Sequence, residues 1–257
     1  MSIEKTEAVV LRAINYRDTS KIVTLYTKRY GKMSAIAKGT RNPKSKFGSL
    51  FQPLNYLQIV FYRRENRDIQ YVSSGEFLKY FKSLTTDVLR LSIAMSLVEI
   101  INRVMHDEEE NEPVFNLLVG SLSALDEPGT SPKNVFTYFG LHLADELGFR
   151  PNFETCFVCK RQINLEKEKK VYYVVQKGGP ICEACFDRIV PTGSDFYLSA
   201  PALLALRSFV SLSAGAAAKA EIAMPVQNEL SNFVFVYLRR HSDTLQEIKS
   251  LAILRSP

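Results

Sequence analysis

The four cysteines of this 257-residue chain stand in two pairs, and two residues separate the members of each pair. Cys156 and Cys159 form the first pair, and Cys182 and Cys185 form the second after an interval of 22 residues. Because each short CxxC turn can aim two thiolates at one point, two such pairs supply the four ligands of a tetrahedral ion. The spacing therefore predicts one Zn²⁺ per chain, held by all four cysteines.

Two disulfides, or four unrelated buried cysteines, are the alternatives to a metal site. Disulfides require an oxidising compartment. The first ten residues contain charged side chains and lack the apolar stretch of a secretory signal, so we expect a cytoplasmic protein. Four thiolates leave no coordination position for water or substrate, so the predicted ion is structural.

The interval between the pairs has the pattern of a small β-ribbon. Residues 166–170 form a charged turn, residues 171–176 are rich in β-branched and aromatic side chains, and residues 177–180 contain two glycines and a proline. A strand bounded by turn-forming residues in this way is typical of a hairpin. We therefore expect a zinc-binding insertion over residues 153–187.

Charge is unevenly distributed along the chain, whose net charge is +6. Residues 1–90 contain 17 Lys and Arg against 7 Asp and Glu, whereas residues 91–257 contain 16 against 20. The basic first third suggests a polyanionic partner, although solubility alone is a sufficient reason for a charge of this size. At this chain length, two or three domains are expected.

Five runs in the first third have the composition of short strands. They cover residues 7–14, 21–27, 32–37, 54–62 and 68–73. Five short antiparallel strands can close into a small barrel of the oligonucleotide-binding (OB) kind, and closure removes the exposed strand edges. We expect an OB-fold domain over residues 1–80. An SH3-like barrel is the alternative that strand number alone does not exclude.

The connection over residues 38–47 carries four cations and no acid. The cations are Lys38, Arg41, Lys44 and Lys46. Gly39 and Pro43 interrupt regular structure, so the cations are expected on an exposed loop. Binding of single-stranded nucleic acid needs such a cationic track for phosphates, together with aromatic faces for bases.

Four aromatic residues near this loop are candidates for base stacking: Tyr16, Tyr30, Phe47 and Phe51. Large aromatic side chains are more often buried, so Phe47 and Phe51 are expected in the barrel core. Tyr16 lies in a predicted turn, where a core role and a contact role are equally compatible with the sequence.

Beyond residue 80 the apolar spacing becomes helical. Helices are predicted over residues 88–105, 113–125, 132–147, 200–212 and 225–241. The helical domain is expected to comprise residues 81–152 and 188–257, with the cysteine segment inserted between its helices. The acidic residues 107–110 are expected to form a solvated helix end, and a partner site is the alternative. The predicted fold class is therefore α+β and multidomain.

Several motifs along the chain resemble those of the RecO family, the bacterial mediators of recombination and DNA repair. They are residues 7–12, Tyr16, residues 23–27, Gly31, residues 37–39, residues 44–47 and residues 148–151. The resemblance covers most of the chain and implies an N-terminal OB-fold, a helical domain and a zinc-binding insertion. One position departs from the pattern, because Arg17 follows the turn tyrosine where an acid is frequent in the family.

The resemblance also implies a function and a set of partners. RecO proteins bind single- and double-stranded DNA, anneal complementary strands and help recombinase load on strands coated with single-strand-binding protein. The implied protein partners are RecR, single-strand-binding protein and, indirectly, RecA, and the implied location is the cytoplasm, on the nucleoid. The expected DNA contacts in this chain are Arg12, Tyr16, Lys38, Arg41, Lys44 and Lys46. The candidates for binding the acidic tail of single-strand-binding protein are Arg207, Arg239 and Arg240.

The sequence lacks the common catalytic motifs. The GxxxxGK phosphate loop is absent, as are the GxGxxG, GxSxG and HExxH patterns. We therefore expect a protein without enzymatic activity. The alternatives are a metal-dependent nuclease, which would need clustered carboxylates, and an adaptor that binds proteins through its helical bundle. No apolar run approaches the roughly 18 residues of a membrane span, so no membrane insertion is expected.

Overall fold

The computed structural model describes residues 1–42, 45, 47–167, 170–189, 193 and 195–245. By Cα proximity the chain divides into two compact units, and the boundary between them lies after Asp126. The domain boundaries drawn from the sequence, at residues 80, 152 and 188, stay predictions. Within the described ranges, no helix is both long enough and apolar enough to cross a membrane.

Five strands form a closed barrel in the first unit. They are β1 (Ser2–Tyr16), β2 (Ser20–Thr27), β3 (Gly31–Ala37), β4 (Tyr56–Arg63) and β5 (Ile69–Lys79). The strand order is β1-β2-β3-β5-β4, and β4 returns to pair with β1. Neighbouring strands are antiparallel except β3 and β5, which are parallel. This Greek-key order is that of an OB-fold, so the OB-fold prediction is confirmed and the SH3-like alternative is excluded.

Two strands are longer than the sequence pattern predicted. Residues 2–9 of β1 pair with β4, and residues 8–16 pair with β2, with a shift in register between Val10 and Arg12. Strand β5 continues to Lys79, which lies opposite the first residue of β4. Because the ladder partners hold the backbone, polar residues at the strand ends stay extended although their side chains face water.

The inward-facing residues of the barrel strands form an apolar core. Its members include Ala8, Val10, Val23, Leu25, Met33, Ala35, Leu57, Ile59 and Phe61. Phe51, from the connection between β3 and β4, is fully buried in this core, as expected. Phe47 is half-buried, and its ring stacks on that of Phe51 with 6.3 Å between the ring centres. Phe47 therefore contributes both to the core and to the barrel surface.

The described part of the first unit also contains two α-helices, α1 (Val88–Val104) and α2 (Glu112–Asp126). Asp87 caps α1 by accepting a hydrogen bond of 2.9 Å from the backbone N–H of Arg90. The Phe115 ring of α2 contacts the barrel tyrosines Tyr26 and Tyr56, with ring centres 6.0 and 6.2 Å apart. Tyr26 is fully buried. The barrel and these helices therefore share a packed interface.

The acidic segment after α1 lies against the barrel. The charged atoms of Lys32 and Asp107 are 3.3 Å apart, and those of Lys28 and Glu112 are 3.1 Å apart. Gly31, with a φ of +59°, lies directly under the backbone of this segment, where a Cβ atom would collide with it. The carboxylates are exposed, and the segment lies in the connection between α1 and α2 and not within a helix. Tertiary ion pairs, which the local pattern does not show, hold the segment on the β2–β3 turn.

The described part of the second unit contains four helices and a three-stranded sheet. They are α3 (Pro132–Glu146), β6 (Lys170–Val174), β7 (Gly179–Ile181), β8 (Phe196–Ser199), α4 (Ala200–Phe209), α5 (Ala214–Lys219) and α6 (Met224–His241), and the sheet order is β7-β6-β8. Ser131 caps α3, and Gly148, with a φ of +85°, follows its end. The helix predicted over residues 200–212 ends at Phe209, because Ser213 caps the separate helix α5.

One face of this sheet packs on α6. The Tyr173 ring of β6 lies 4.8 Å from the Phe233 ring of α6, measured between centres, and Phe196 of β8 lies 5.8 Å from the same ring. Aromatic rings at these distances in edge-to-face arrangement stabilise a core beyond their burial alone. The sheet beside the cysteines therefore rests on a helix later in the chain, and the α+β fold class is confirmed.

Candidate functional site

All four cysteines converge on one point. The four sulfurs lie within 4.8 Å of one another, and the sulfurs of Cys159 and Cys182 are 3.7 Å apart. A tetrahedral ion with bonds of about 2.3 Å to sulfur separates its ligands by about 3.8 Å. The cysteines are free and are not paired in disulfides. The donor set therefore fits a four-coordinate metal ion such as zinc.

Two short turns position these sulfurs. In the first turn, the carbonyl of Cys156 accepts a hydrogen bond of 2.9 Å from the N–H of Lys160, which adopts a φ of +62°. In the second, the carbonyl of Cys182 accepts a hydrogen bond of 2.9 Å from the N–H of Cys185. Cys156 and Cys185 are buried, so the polypeptide encloses one side of the cluster.

Arg207 of α4 braces the chain on both sides of the first turn. Its guanidinium donates hydrogen bonds of 3.0 to 3.1 Å to the Phe153 carbonyl and one of 3.3 Å to the Ile163 carbonyl. It also lies 3.2 Å from a carboxylate oxygen of Glu154. These internal bonds give Arg207 a structural role beside the cysteine cluster.

The protonation of the cysteines is unequal. Burial raises the pKa of Cys156, but hydrogen bonds from the backbone N–H groups of Cys159, Cys182 and Val158 outweigh it and bring the pKa to about 7. Burial, and then the neighbouring sulfurs, raise the pKa of Cys182 to about 12. A thiolate at one cysteine thus raises the pKa of its neighbours. A bound dication would lower these pKa values, because it stabilises all four thiolates.

The predicted DNA contacts at the end of β1 form one cluster. The guanidinium of Arg17 lies 5.1 Å from the centre of the half-buried Tyr16 ring. Arg17 has a φ of +52°, and its carbonyl accepts a hydrogen bond of 2.8 Å from Nη1 of Arg41. The loop after β3 therefore holds a second cation at this end of the barrel. Arg12 is exposed earlier on β1.

A concave groove of about 470 Å³, here named the β3–β5 groove, crosses the barrel surface beside Lys38. Its charged and aromatic lining consists of Lys38, Phe47, Tyr62, Arg64, Arg67 and Tyr71. Nζ of Lys38 lies 5.0 Å from the centre of the Tyr71 ring. Cations and ring faces are thus combined in one groove, as strand binding requires. The predicted contacts Lys44 and Lys46 lie outside the described residues.

The sequence analysis did not single out Tyr62 of β4, Tyr71 of β5, or the two arginines of the groove. Arg64 and Arg67 belong to the β4–β5 connection, and Gln70 at the start of β5 holds both of them. The Gln70 side chain, only 5% exposed, accepts a hydrogen bond of 2.9 Å from the Arg64 N–H. It donates bonds of 3.0 and 2.7 Å to the carbonyls of Arg64 and Arg67. The arginine-rich run next to a strand end is the sequence signal that could have found them.

Comparison with known proteins assigns this architecture to one family. Residues 1–81 match the family model described as Recombination protein O N terminal, and residues 85–251 match the one described as Recombination protein O C terminal. The chain belongs to the RecO family. The resemblance seen in its sequence motifs is thereby confirmed.

Curated relatives of this RecO family member extend over nearly its full length. The DNA repair protein RecO of Chlorobium limicola is 34% identical over 259 residues, which cover 98% of this chain and 97% of the relative. The protein of the same name from Pelodictyon phaeoclathratiforme is 30% identical over 262 residues, with the same coverage of 98% and 97%. That of a Thermoanaerobacter species is 28% identical over 241 residues, covering 94% and 93%. The similarity to RecO proteins therefore includes both units.

Two further arginines of this RecO family member lie at the end of α6. The guanidinium of Arg239 lies 5.2 Å from the centre of the Phe235 ring. Arg240 is exposed. Of the three arginines considered for an acidic partner, Arg207 is committed to internal bonds, and Arg240 presents its side chain to solvent.

Proposed function

We propose that this protein is a DNA-binding mediator of recombination and repair that acts without catalysing a reaction. Membership of the RecO family supports the role in recombination and repair, since the curated relatives are named DNA repair proteins. In this proposal the protein binds single- and double-stranded DNA, anneals complementary strands, and helps RecA load on strands coated with single-strand-binding protein. It acts in the cytoplasm, on the nucleoid.

The β3–β5 groove is the observation that carries this proposal. Lys38, Arg64 and Arg67 supply positive charge for phosphates, and Tyr62 and Tyr71 offer ring faces for bases. Stacking on aromatic side chains tolerates every base, and phosphate contacts carry no base identity. The groove therefore suits a protein that must bind strands of any sequence.

The cluster at the end of β1 extends the proposed contact surface. The proposed contacts in this region and the adjoining loop are Arg12, Tyr16, Lys38, Arg41, Lys44 and Lys46. Because Arg41 bonds to the carbonyl of Arg17, this loop and the β1–β2 turn can present their cations together. The combined surface offers more phosphate contacts than the groove alone.

The proposed cofactor is one structural Zn²⁺. Its ligands would be Cys156, Cys159, Cys182 and Cys185. When bound, the ion links the two cysteine turns and has no open position for a reacting water. The metal in this proposal maintains the ribbon and takes no part in chemistry on DNA.

Substitution of Arg41, Lys44 and Lys46 with Ala is expected to weaken binding to all single-stranded sequences alike. Each phosphate contact adds about 0.7 to the slope of log affinity against log salt concentration on a single strand. The slope should fall by about two if all three residues contact phosphate, and by about 1.4 if Arg41 stays on the Arg17 carbonyl. Titration of fluorescent oligonucleotides of several sequences over a salt series measures both the slope and any base preference.

A charge-matched variant controls this experiment. It replaces Lys82, Lys177 and Arg240, three exposed cations outside the proposed surface, with Ala. An unchanged salt slope in a loop variant that keeps its circular dichroism would mean that DNA binds elsewhere. Cleavage of DNA with magnesium, above a heat-inactivated control, would identify a nuclease. Absence of DNA binding at low salt would favour the adaptor that acts through its helical bundle.

The proposed protein partners are RecR and single-strand-binding protein. The acidic, apolar tail of the latter fits a cationic surface beside apolar helices. Replacing Arg240 with Ala is expected to weaken binding of a tail peptide about fivefold at low salt, since an exposed ion pair contributes up to about 1 kcal/mol. Calorimetry measures this affinity, and replacement of the exposed Arg161 with Ala is the control. No detectable binding of the peptide by the unmodified protein would contradict the proposal.

A further inference from the structure

An aromatic cluster lies on the face of the three-stranded sheet opposite Tyr173. Tyr172 of β6 and Tyr197 of β8 are direct cross-strand neighbours, with ring centres 4.9 Å apart and planes at 68°. Phe186, from the turn that contains Cys185, contacts the Tyr172 ring edge-on at 5.2 Å. We name the rings of Tyr172, Phe186 and Tyr197 the ribbon platform.

Tyr197 provides the open ring of the ribbon platform. Tyr172 is only 6% exposed because the other two rings cover it, whereas Tyr197 is 59% exposed. The three rings line an open depression of about 530 Å³, to which Lys167 and Lys170 contribute from the chain before and at the start of β6. A large exposed aromatic ring beside two cations is therefore present in the second unit.

We infer that the ribbon platform is a second binding site for single-stranded DNA, at which a nucleobase stacks on Tyr197. An exposed aromatic ring on a sheet face is a common platform for unpaired bases. Lys167 and Lys170 lie within the same depression and can neutralise the flanking phosphates. This inference rests on the proposed function and adds a contact in the second unit.

The exposure of the rings favours a base over a cationic side chain. A cage for a lysine or methylated amine needs several open ring faces around one point. The Tyr172 ring is covered, so the ribbon platform offers one open ring of Tyr197 flanked by Phe186. A flat ligand stacks well on such a surface, whereas a cation on it would remain in contact with water on most sides.

Two acids in the depression indicate which bases fit best. Glu183 and Asp187 belong to the same turn as Phe186 and line the depression with it. Carboxylates accept hydrogen bonds from exocyclic amino groups, as in contacts of Glu and Asp with cytosine. We expect the site to prefer cytosine over thymine, which has no amino group.

The two sites together suit strand annealing. The protein could hold one strand in the β3–β5 groove and a second strand at the ribbon platform. Phe186 directly follows Cys185 in the same short helical turn, so an ion bound by Cys185 would lie next to a ring of the ribbon platform. Ordering of the cysteine turns by the ion therefore also orders a ring of the DNA site.

Photocrosslinking of the full-length protein tests this inference. Oligonucleotides that carry 5-iododeoxycytidine at single positions form crosslinks to stacked aromatic rings on irradiation, and mass spectrometry identifies the peptide. Crosslinks are expected to the peptide that contains Tyr197 and to that containing Tyr71. Tyr197→Ala should reduce the ribbon crosslink about 10-fold, in line with the stacking contribution of one base, whereas Tyr197→Phe should retain it.

The outcomes separate this inference from the proposed function. Crosslinks to the Tyr71 peptide without any to the Tyr197 peptide would overturn the second site and leave the proposed function intact. Crosslinks to the Tyr197 peptide alone would support the second site and overturn the groove as the DNA path. Crosslinks to neither peptide would overturn both. An unchanged zinc content and circular dichroism spectrum of Tyr197→Ala establish that its loss of crosslinking is not a loss of fold.

Discussion

Replacing Cys182 with Ser is expected to release the metal and to lower the free energy of unfolding by about 3 to 5 kcal/mol, since loss of a metal is among the most destabilising single changes. The sulfur of Cys182 lies 3.7 Å from that of Cys159 in the other pair, so an ion bound between them would link the two turns. Without this sulfur, three thiolates remain, and the chain between the pairs loses its cross-link. Because ion binding is coupled to folding of this segment, the lost binding free energy is lost stability.

Elemental analysis and chemical denaturation under reducing conditions measure this effect. Ala184→Ser is the matched control, because Ala184 is exposed in the same turn and offers no ligand. The unmodified protein and this control should both contain one equivalent of zinc, and the Cys182 variant less than half. One equivalent of zinc in the Cys182 variant would contradict the expectation that Cys182 is a required ligand. A disulfide detected by mass spectrometry in the unmodified protein would replace the metal site with a covalent link.

Substituting Lys38, Arg64 and Arg67 together with Ala is expected to weaken single-stranded DNA binding about 100-fold at 0.1 M salt. Loss of three phosphate contacts lowers the salt slope by about 2.1, and the affinity lines converge near 1 M salt, so the loss at 0.1 M is about two orders of magnitude. The loop variant should have a smaller effect, because Arg41 already has an internal partner in the Arg17 carbonyl. Fluorescence anisotropy over a salt series measures both variants.

Substitutions of Tyr71 distinguish the contribution of base stacking to DNA binding from that of charge in the same groove. Tyr71→Ala should weaken binding by about 5- to 150-fold, which corresponds to 1 to 3 kcal/mol for one stacked base, with little change in the salt slope. Tyr71→Phe retains the ring and should bind nearly as the unmodified protein. A triple cation variant with full affinity, alongside a Tyr71→Ala variant with full affinity, would exclude the groove as the DNA path.

The convergence of the four cysteines could be predicted from the sequence because its geometry is mostly local. Each CxxC pair fixes two sulfurs through one short turn, and only the meeting of the two pairs needs tertiary structure. The strands and helices could also be predicted, because alternation and helical spacing are local patterns. The structural role of Arg207 could not be predicted from local patterns. Its partners are the carbonyls of Phe153 and Ile163, more than 40 residues away in sequence.

The β3–β5 groove could not be predicted from the sequence. The predicted contacts followed one basic loop, whereas the groove is made by strands that are distant in sequence and meet in parallel. Ala35 lies opposite Gln70, and Ala37 opposite Val72, only because β5 closes the barrel against β3. No local pattern specifies this pairing. The arginine-rich run is visible in the sequence, but its place beside Lys38 follows from the pairing of β3 with β5.

The contacts between the barrel and α1 and α2 mean that the barrel is not an independent module. A fragment that ended at residue 80 would lose Phe115, and the ring of Tyr26, which is fully buried in the complete chain, would face water. Lys32 would lose its partner Asp107, and Lys28 would lose Glu112 while keeping Glu7 at 3.9 Å, so the fragment would carry more unneutralised positive charge. DNA affinity measured on such a fragment would overstate that of the intact protein. The barrel together with α1 and α2 is thus the part of this chain that can be transferred as a unit. A barrel transferred alone into another protein would expose apolar surface and carry a higher net positive charge.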